Sequence, residues 1–175
     1  MTTNENIESI LLERENRVIY QNMLIKSYKN TLIAFKLNIP GPKKDGQLYR
    51  KIFSNGLKLL KASLKQHNIN PIFEKVFFKA TGPMAFLVVD KKAEEIKILC
   101  TEIEEEDNLG RIYDFDVIDS SGNSIGRGTI GKAQRKCFLC DKYVWVCSRS
   151  RAHSVEEMLL YIHDTAETYF KNKEN

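Results

Sequence analysis

The sequence is short of everything that marks a special class of chain. Four prolines and nine glycines in 175 residues exclude a collagen-like or low-complexity polymer. No apolar run approaches the roughly 18–20 residues that a membrane-spanning helix needs. Residues 1–8 (MTTNENIE) are polar and slightly acidic, so neither a secretory signal nor a basic transit peptide is expected there. Internal repeats and Ser/Gly linkers are also lacking. Cysteine is sparse, at positions 100, 137, 140 and 147, and without a secretory signal these read as free thiols or metal ligands. What remains is 42% hydrophobic and 29% charged. A chain of that length can bury about two-thirds of its unfolded surface. The expectation is a cytoplasmic single domain over residues 1–175, with no membrane partner.

Charge of one sign is lacking overall as well. The formal balance is +4, which makes a poor polyanion binder taken as a whole. Its distribution is uneven. Residues 24–66 hold ten basic residues against Asp45, residues 102–119 hold eight acids against Arg111, and residues 127–151 hold seven basic residues against Asp141. An acidic cluster between two basic stretches suits a site that holds a divalent metal and a polyphosphate together. Ordinary solvated faces are the alternative for any one stretch.

Periodicity outlines the elements. Ile7 to Ser27 reads as a helix with Ile7, Ile10, Leu11, Val18, Ile19 and Ile25 as its apolar stripe. Thr31 to Leu37 is a short buried strand that stops at the Pro/Gly-rich segment 38–46. Gln47 to Lys65 returns to helical spacing. Ile72 to Phe78 and Ala85 to Val89 read as strands about Thr81-Gly-Pro83. Lys91 to Glu105 reads as a helix, and Arg111 to Ile118 as a strand closed by a turn at Asp119. The segment 124–153 is irregular and rich in cysteine and arginine. Ser154 and Glu157 form a capping box that opens a helix to Phe170, with Leu159, Leu160 and Ile162 apolar. The order suggests an α+β domain with a mixed sheet flanked by helices.

Two clusters carry chemistry. Asp114 and Asp116, two apart on a strand, point to one side, while Tyr113, Phe115 and Val117 point to the other. Adjacent carboxylates repel, and Mg²⁺ resolves the conflict by taking one or two carboxylates plus phosphate oxygens. A solvated strand edge is the alternative. Cys137, Cys140, Cys147 and His153 form a plausible Cys₃His zinc set, with reduced, partly buried thiols as the alternative. Near the cysteines, Arg149 and Arg151, with Arg127, Arg135 and Lys136, are suited to phosphate oxygens. A rival assignment is a zinc-containing nucleic-acid-binding module without catalysis, with Arg149, Arg151, Tyr143 and Trp145 as contacts.

Five strings, in order along the chain, resemble the citrate lyase holo-acyl-carrier-protein synthase family, the apo-citrate lyase phosphoribosyl-dephospho-CoA transferases. They are Arg14-Glu-Asn-Arg17, Leu37-Asn-Ile-Pro-Gly-Pro42 with Lys44, Thr81-Gly-Pro83, Gly110-Arg-Ile-Tyr-Asp-Phe-Asp-Val117, and Arg135-Lys-Cys-Phe-Leu-Cys140 leading to Cys147-Ser-Arg-Ser-Arg151 and His153. Met84 stands where the family pattern has an acid, and Ser148 where it has alanine. The resemblance implies a nucleotidyltransferase-like domain acting on 2′-(5″-triphosphoribosyl)-3′-dephospho-CoA. Its phosphoribosyl-dephospho-CoA portion would pass to a serine of the acyl carrier (γ) subunit of citrate lyase, with release of pyrophosphate and no nucleic-acid partner. It further implies Asp114 and Asp116 as Mg²⁺ ligands and catalytic groups, with Lys43, Lys44, Arg111, Arg127, Arg149 and Arg151 binding substrate.

Overall fold

The computed structural model describes residues 3–174, with side chains over residues 12–173. Among these are five helices and four strands: α1 (Thr3–Tyr28), β1 (Thr31–Leu37), α2 (Gln47–Gln66), β2 (Pro71–Lys79), β3 (Gly82–Val89), α3 (Ala93–Glu106), β4 (Tyr113–Ile118), α4 (Val144–Ser150) and α5 (Val155–Glu174). No helix among the described residues is long and apolar enough to cross a membrane.

The strands form one sheet in the order β2-β3-β1-β4, and every neighbouring pair is antiparallel. The expected mixed sheet is therefore corrected. Helix α2 joins β1 to β2, and helix α3 joins β3 to β4, yet each crossover skips a strand. β3 sits between β1 and β2, and β1 sits between β3 and β4. Two interlocked split βαβ units result, the ferredoxin-like arrangement, in which co-directional strands never touch.

One face of the sheet presents Ile33, Phe35, Ala85, Leu87, Val89, Tyr113, Phe115 and Val117 to α2, α3 and α5. Helix α2 lies so close that a Cβ on Gly56 would meet the Phe35 ring at 2.6 Å. The opposite face is covered by α1, through Tyr20, Leu24, Ile25 and Tyr28. Tyr20 stands edge-on to Phe77 and Phe86, with ring centroids 5.5 and 5.1 Å apart. Of the stripe expected on α1, Ile25 is buried, but Val18 and Ile19 are 50% and 66% exposed. The side chains of Ile7, Ile10 and Leu11 lie outside the described ones. Tyrosine rings, with apolar bodies and polar tips, supply the packing expected from aliphatic residues.

Smaller corrections follow. The chain at Gly110–Ile112 is a 3₁₀ turn, so β4 begins at Tyr113 rather than Arg111. The segment 124–153 contains a 3₁₀ turn at Arg127–Ile130 and the helix α4. The capping box at α5 forms as expected: Glu157 N–H donates to Ser154 Oγ (3.1 Å) and Ser154 N–H to Glu157 Oε2 (2.7 Å). Leu160, however, is exposed, and Ile162, Ala166 and Tyr169 make the buried contacts.

Candidate active site

Strand alternation places Asp114 and Asp116 on the α1 side of β4, as their spacing requires. The register sets Lys36 of β1 directly opposite Asp114 and Ala34 opposite Asp116. The Lys36 ammonium lies between the two acids, 2.5 Å from Asp114 Oδ2 and 2.7 Å from Asp116 Oδ2. Two carboxylate oxygens thus converge on one cation. That donor set also fits a hard divalent ion, for which Lys36 would compete.

The two acids are not equivalent. Burial acts to raise the Asp114 pKa, but Lys36 by charge and hydrogen bond, then Arg135 and Lys97, outweigh it, and the net shift is downward. Arg135 Nη1 is 3.7 Å from Asp114 Oδ1, and Lys97 Nζ donates to the carbonyl of Phe115 at 2.8 Å. Asp116 is the more exposed carboxylate, at 44% against 27%.

Next to this pair is a cavity of about 360 Å³ whose lining includes Arg14 and Arg17 of α1, Lys36, Leu37 and Asn38, Lys44, Thr81-Gly-Pro83, Met84 and Asp114. Four strings far apart in sequence meet there. Glu13 also lines it, but Lys79 neutralises that acid at 2.6 Å. Lys44 Nζ donates to the Ile39 carbonyl. Burial, and then the nearby Arg14 charge, pulls its pKa down. Thr81 Oγ1 is buried without a hydrogen-bond partner among the described residues. Gly82 has φ +104°, and a Cβ there would press on the Lys44 carbonyl oxygen at 3.0 Å. The cavity is rich in crowded cations, which is what an anionic ligand with several oxygens relieves.

Of the residues singled out by sequence, Lys44 and Asp114 line the cavity, and Asp116 adjoins it through Lys36. Lys43 is exposed beside Lys44. Arg111 instead donates to the Cys137 carbonyl (2.9 Å) and lies over the Phe138 ring. Arg127 is bound to Glu104 (2.6 Å) and Glu105 (2.9 Å). Arg149 stacks on Trp145, and Arg151 lines a second cavity, of about 530 Å³, with Pro40, Phe138, Val144 and Met158. Asn38 is common to both cavities. Cys137, Cys140, Cys147 and His153 present ligand atoms within 4.8 Å of one another.

Sequence reasoning missed Lys36, whose partners are some 80 residues distant, and it gave no role to Arg14 and Arg17 beyond their place in a string. It also missed Glu104, only 2% exposed, which takes guanidinium groups from both Arg127 and Arg135. A signal for Glu104 existed. It follows Cys100 by four residues on the buried face of α3, where an acid needs partners.

A family model described as apo-citrate lyase phosphoribosyl-dephospho-CoA transferase matches residues 5–169. The chain belongs to that family. A Vibrio cholerae relative named probable apo-citrate lyase phosphoribosyl-dephospho-CoA transferase is 31% identical over 94% of this chain and 93% of its own length. Relatives from Citrobacter koseri and Escherichia coli carry the same name without the qualifier. Each is 29% identical, over 89% and 88% of this chain and 85% and 84% of their own lengths respectively. The family match takes in the cavity, the acid pair and the Cys/His cluster together.

Proposed function

We propose that this protein transfers the phosphoribosyl-dephospho-CoA portion of 2′-(5″-triphosphoribosyl)-3′-dephospho-CoA to a serine of the acyl carrier (γ) subunit of apo-citrate lyase. One observation carries the proposal: a single cavity gathers Arg14, Arg17, Lys36 and Lys44 beside a pair of aspartates. The four cations hold the triphosphate. A volume near 360 Å³ takes the phosphate-bearing end of so large a molecule. The remainder passes Asn38 toward the second cavity, where Arg151 meets phosphate and Phe138 and Met158 meet apolar atoms.

The reaction is a nucleotidyl-type displacement. The serine oxygen bonds to the α-phosphorus, the P–O bond to the β-phosphate breaks, and pyrophosphate leaves with the electron pair. Asp116 accepts the serine proton, because it carries fewer neighbouring cations than Asp114 and faces the solvent from which the carrier arrives. Asp114 and Asp116 would hold Mg²⁺, which supplies positive charge against the phosphate and the departing pyrophosphate. Arg111 and Arg127 act one step removed, by fixing the segment that carries Arg135. Lys43 at the rim and the exposed Arg149 steer an acidic carrier subunit.

The test is to incubate the full chain with apo carrier subunit, Mg²⁺ and the triphosphoribosyl precursor, and to look for the adduct by mass spectrometry. Wild type forms it. Asp116→Ala loses about 10²–10⁴ of the rate with its thermal unfolding little changed. An Asp116→Ala protein that modifies the carrier at the wild-type rate would sink the assignment.

A further inference from the structure

Packing holds little of the segment from Arg135 to His153: Phe138 stacks on Tyr161 and Cys137 and Cys147 are buried, but most of the rest is exposed. Of the seven residues of α4, only Cys147 is buried, and a helix this short is unstable on its own. Tyr143, which precedes it, and Val144 and Trp145 within it are exposed. Nevertheless the backbone here is tightly specified. Cys137 N–H donates to the Lys142 carbonyl at 2.8 Å, and Val144 N–H donates to the Arg135 carbonyl at 2.9 Å, closing a small hairpin around Cys140. At the far end of α4, Arg151 takes a left-handed conformation (φ 48°, ψ 44°), unusual for a residue with a side chain. Ala152 N–H then donates back to the Cys147 carbonyl at 3.1 Å. That reversal brings His153 onto the cluster.

All four side chains converge. Cys140 Sγ is 3.4 Å from Cys147 Sγ, and His153 Nε2 is 3.3 Å from Cys140 Sγ. A tetrahedral zinc ion bonded at about 2.3 Å to sulfur and 2.0–2.1 Å to nitrogen sets its ligands roughly 3.5–3.8 Å apart. A disulfide would need about 2.05 Å between sulfurs and gives His153 no task.

We propose that Cys137, Cys140, Cys147 and His153 bind one structural zinc ion, closing the hairpin, α4 and the turn before α5 into a knuckle. All four positions are filled by protein, so the ion is a staple and not a reaction centre. Its placement matters to the rest of the molecule. Cys137, Cys147 and His153 line the second cavity. Arg135, two residues before Cys137, reaches both Glu104 and Asp114.

The experiment uses the full chain without an affinity tag, purified from zinc-supplemented cells. Elemental analysis is expected to find about one zinc per chain. After replacement of the metal by Co²⁺, thiolate-to-cobalt charge-transfer bands and the intense visible bands of a tetrahedral site are expected. Cys140→Ser and His153→Ala should each lower retained zinc at least about tenfold on dialysis against a chelator, while Cys100→Ala, in the core of α3, should keep it. Wild-type protein that is free of zinc and gives no tetrahedral cobalt spectrum would overturn the proposal. So would a Cys140–Cys147 disulfide found by mass spectrometry under non-reducing conditions in freshly prepared protein. None of these readouts depends on the transfer reaction.

Discussion

The face of the sheet under α1 divides into two halves with opposite chemistry. In one half, Leu32 and Ala34 of β1, Phe86 and Val88 of β3 and Ile118 of β4 meet Tyr20, Leu24 and Tyr28. In the other, Lys36, Met84, Asp116 and Asp114 continue the same rows of the same strands, under Glu13, Arg14 and Arg17. The covering helix changes with them. Glu13, Arg17, Tyr20, Leu24 and Tyr28 fall at three- and four-residue steps, one continuous stripe that is charged at one end and aromatic at the other. Secondary structure alone therefore does not separate scaffold from site. One strand and one helix serve both, and only the position along each decides which.

Substitutions in each half should act on different observables. Phe86→Ala, in the apolar half, is expected to cost about 3–5 kcal/mol in chemical denaturation, with the folded protein still modifying the carrier normally. A loss of transfer without loss of stability would erase the distinction. Arg17→Met, in the charged half, should do the reverse. Its stability should change by no more than about 0.5 kcal/mol, while KM for the triphosphoribosyl precursor rises about 10- to 100-fold, the value of a charge-assisted contact. Lys36→Met is the most delicate. The depressed Asp114 pKa means that its ionised form stabilises the fold above its unfolded pKa of about 3.9. That contribution is lost as pH falls through the lower folded value. Removing Lys36 should therefore cost about 1 kcal/mol at neutral pH, discounted for partial exposure. The gap to wild type should shrink below about pH 4. A gap that widens in acid would mean that Lys36 does not stabilise the Asp114 carboxylate.

Much of the molecule was legible because its signals are local. A short apolar, β-rich run located β1, period-two alternation located β4 and put Asp114 and Asp116 on one side, and the Ser154–Glu157 box marked α5. Pairing was not legible. Whether a strand runs beside its co-directional mate depends on which strand inserts between them, so the sheet was taken as mixed. The same non-locality hid Lys36, since a lysine in an apolar strand has no visible partner until the register is known. The α1 stripe misled for a different reason. Tyrosine and arginine occupied the inward positions, so a search for aliphatic residues selected Val18 and Ile19, which face solvent.

Arg135 has a consequence for how the protein would fail. Its guanidinium is shared between Glu104 and Asp114, and its backbone carbonyl is tied to Val144 across the thiol-bearing hairpin. Oxidants that attack those sulfurs, or chelators that strip the zinc proposed to bind them, would loosen the hairpin and withdraw a counter-charge from Asp114. Prosthetic-group loading would then fall with thiol damage well before the chain unfolds, an inactivation visible in the carrier's mass before it is visible in any melting curve.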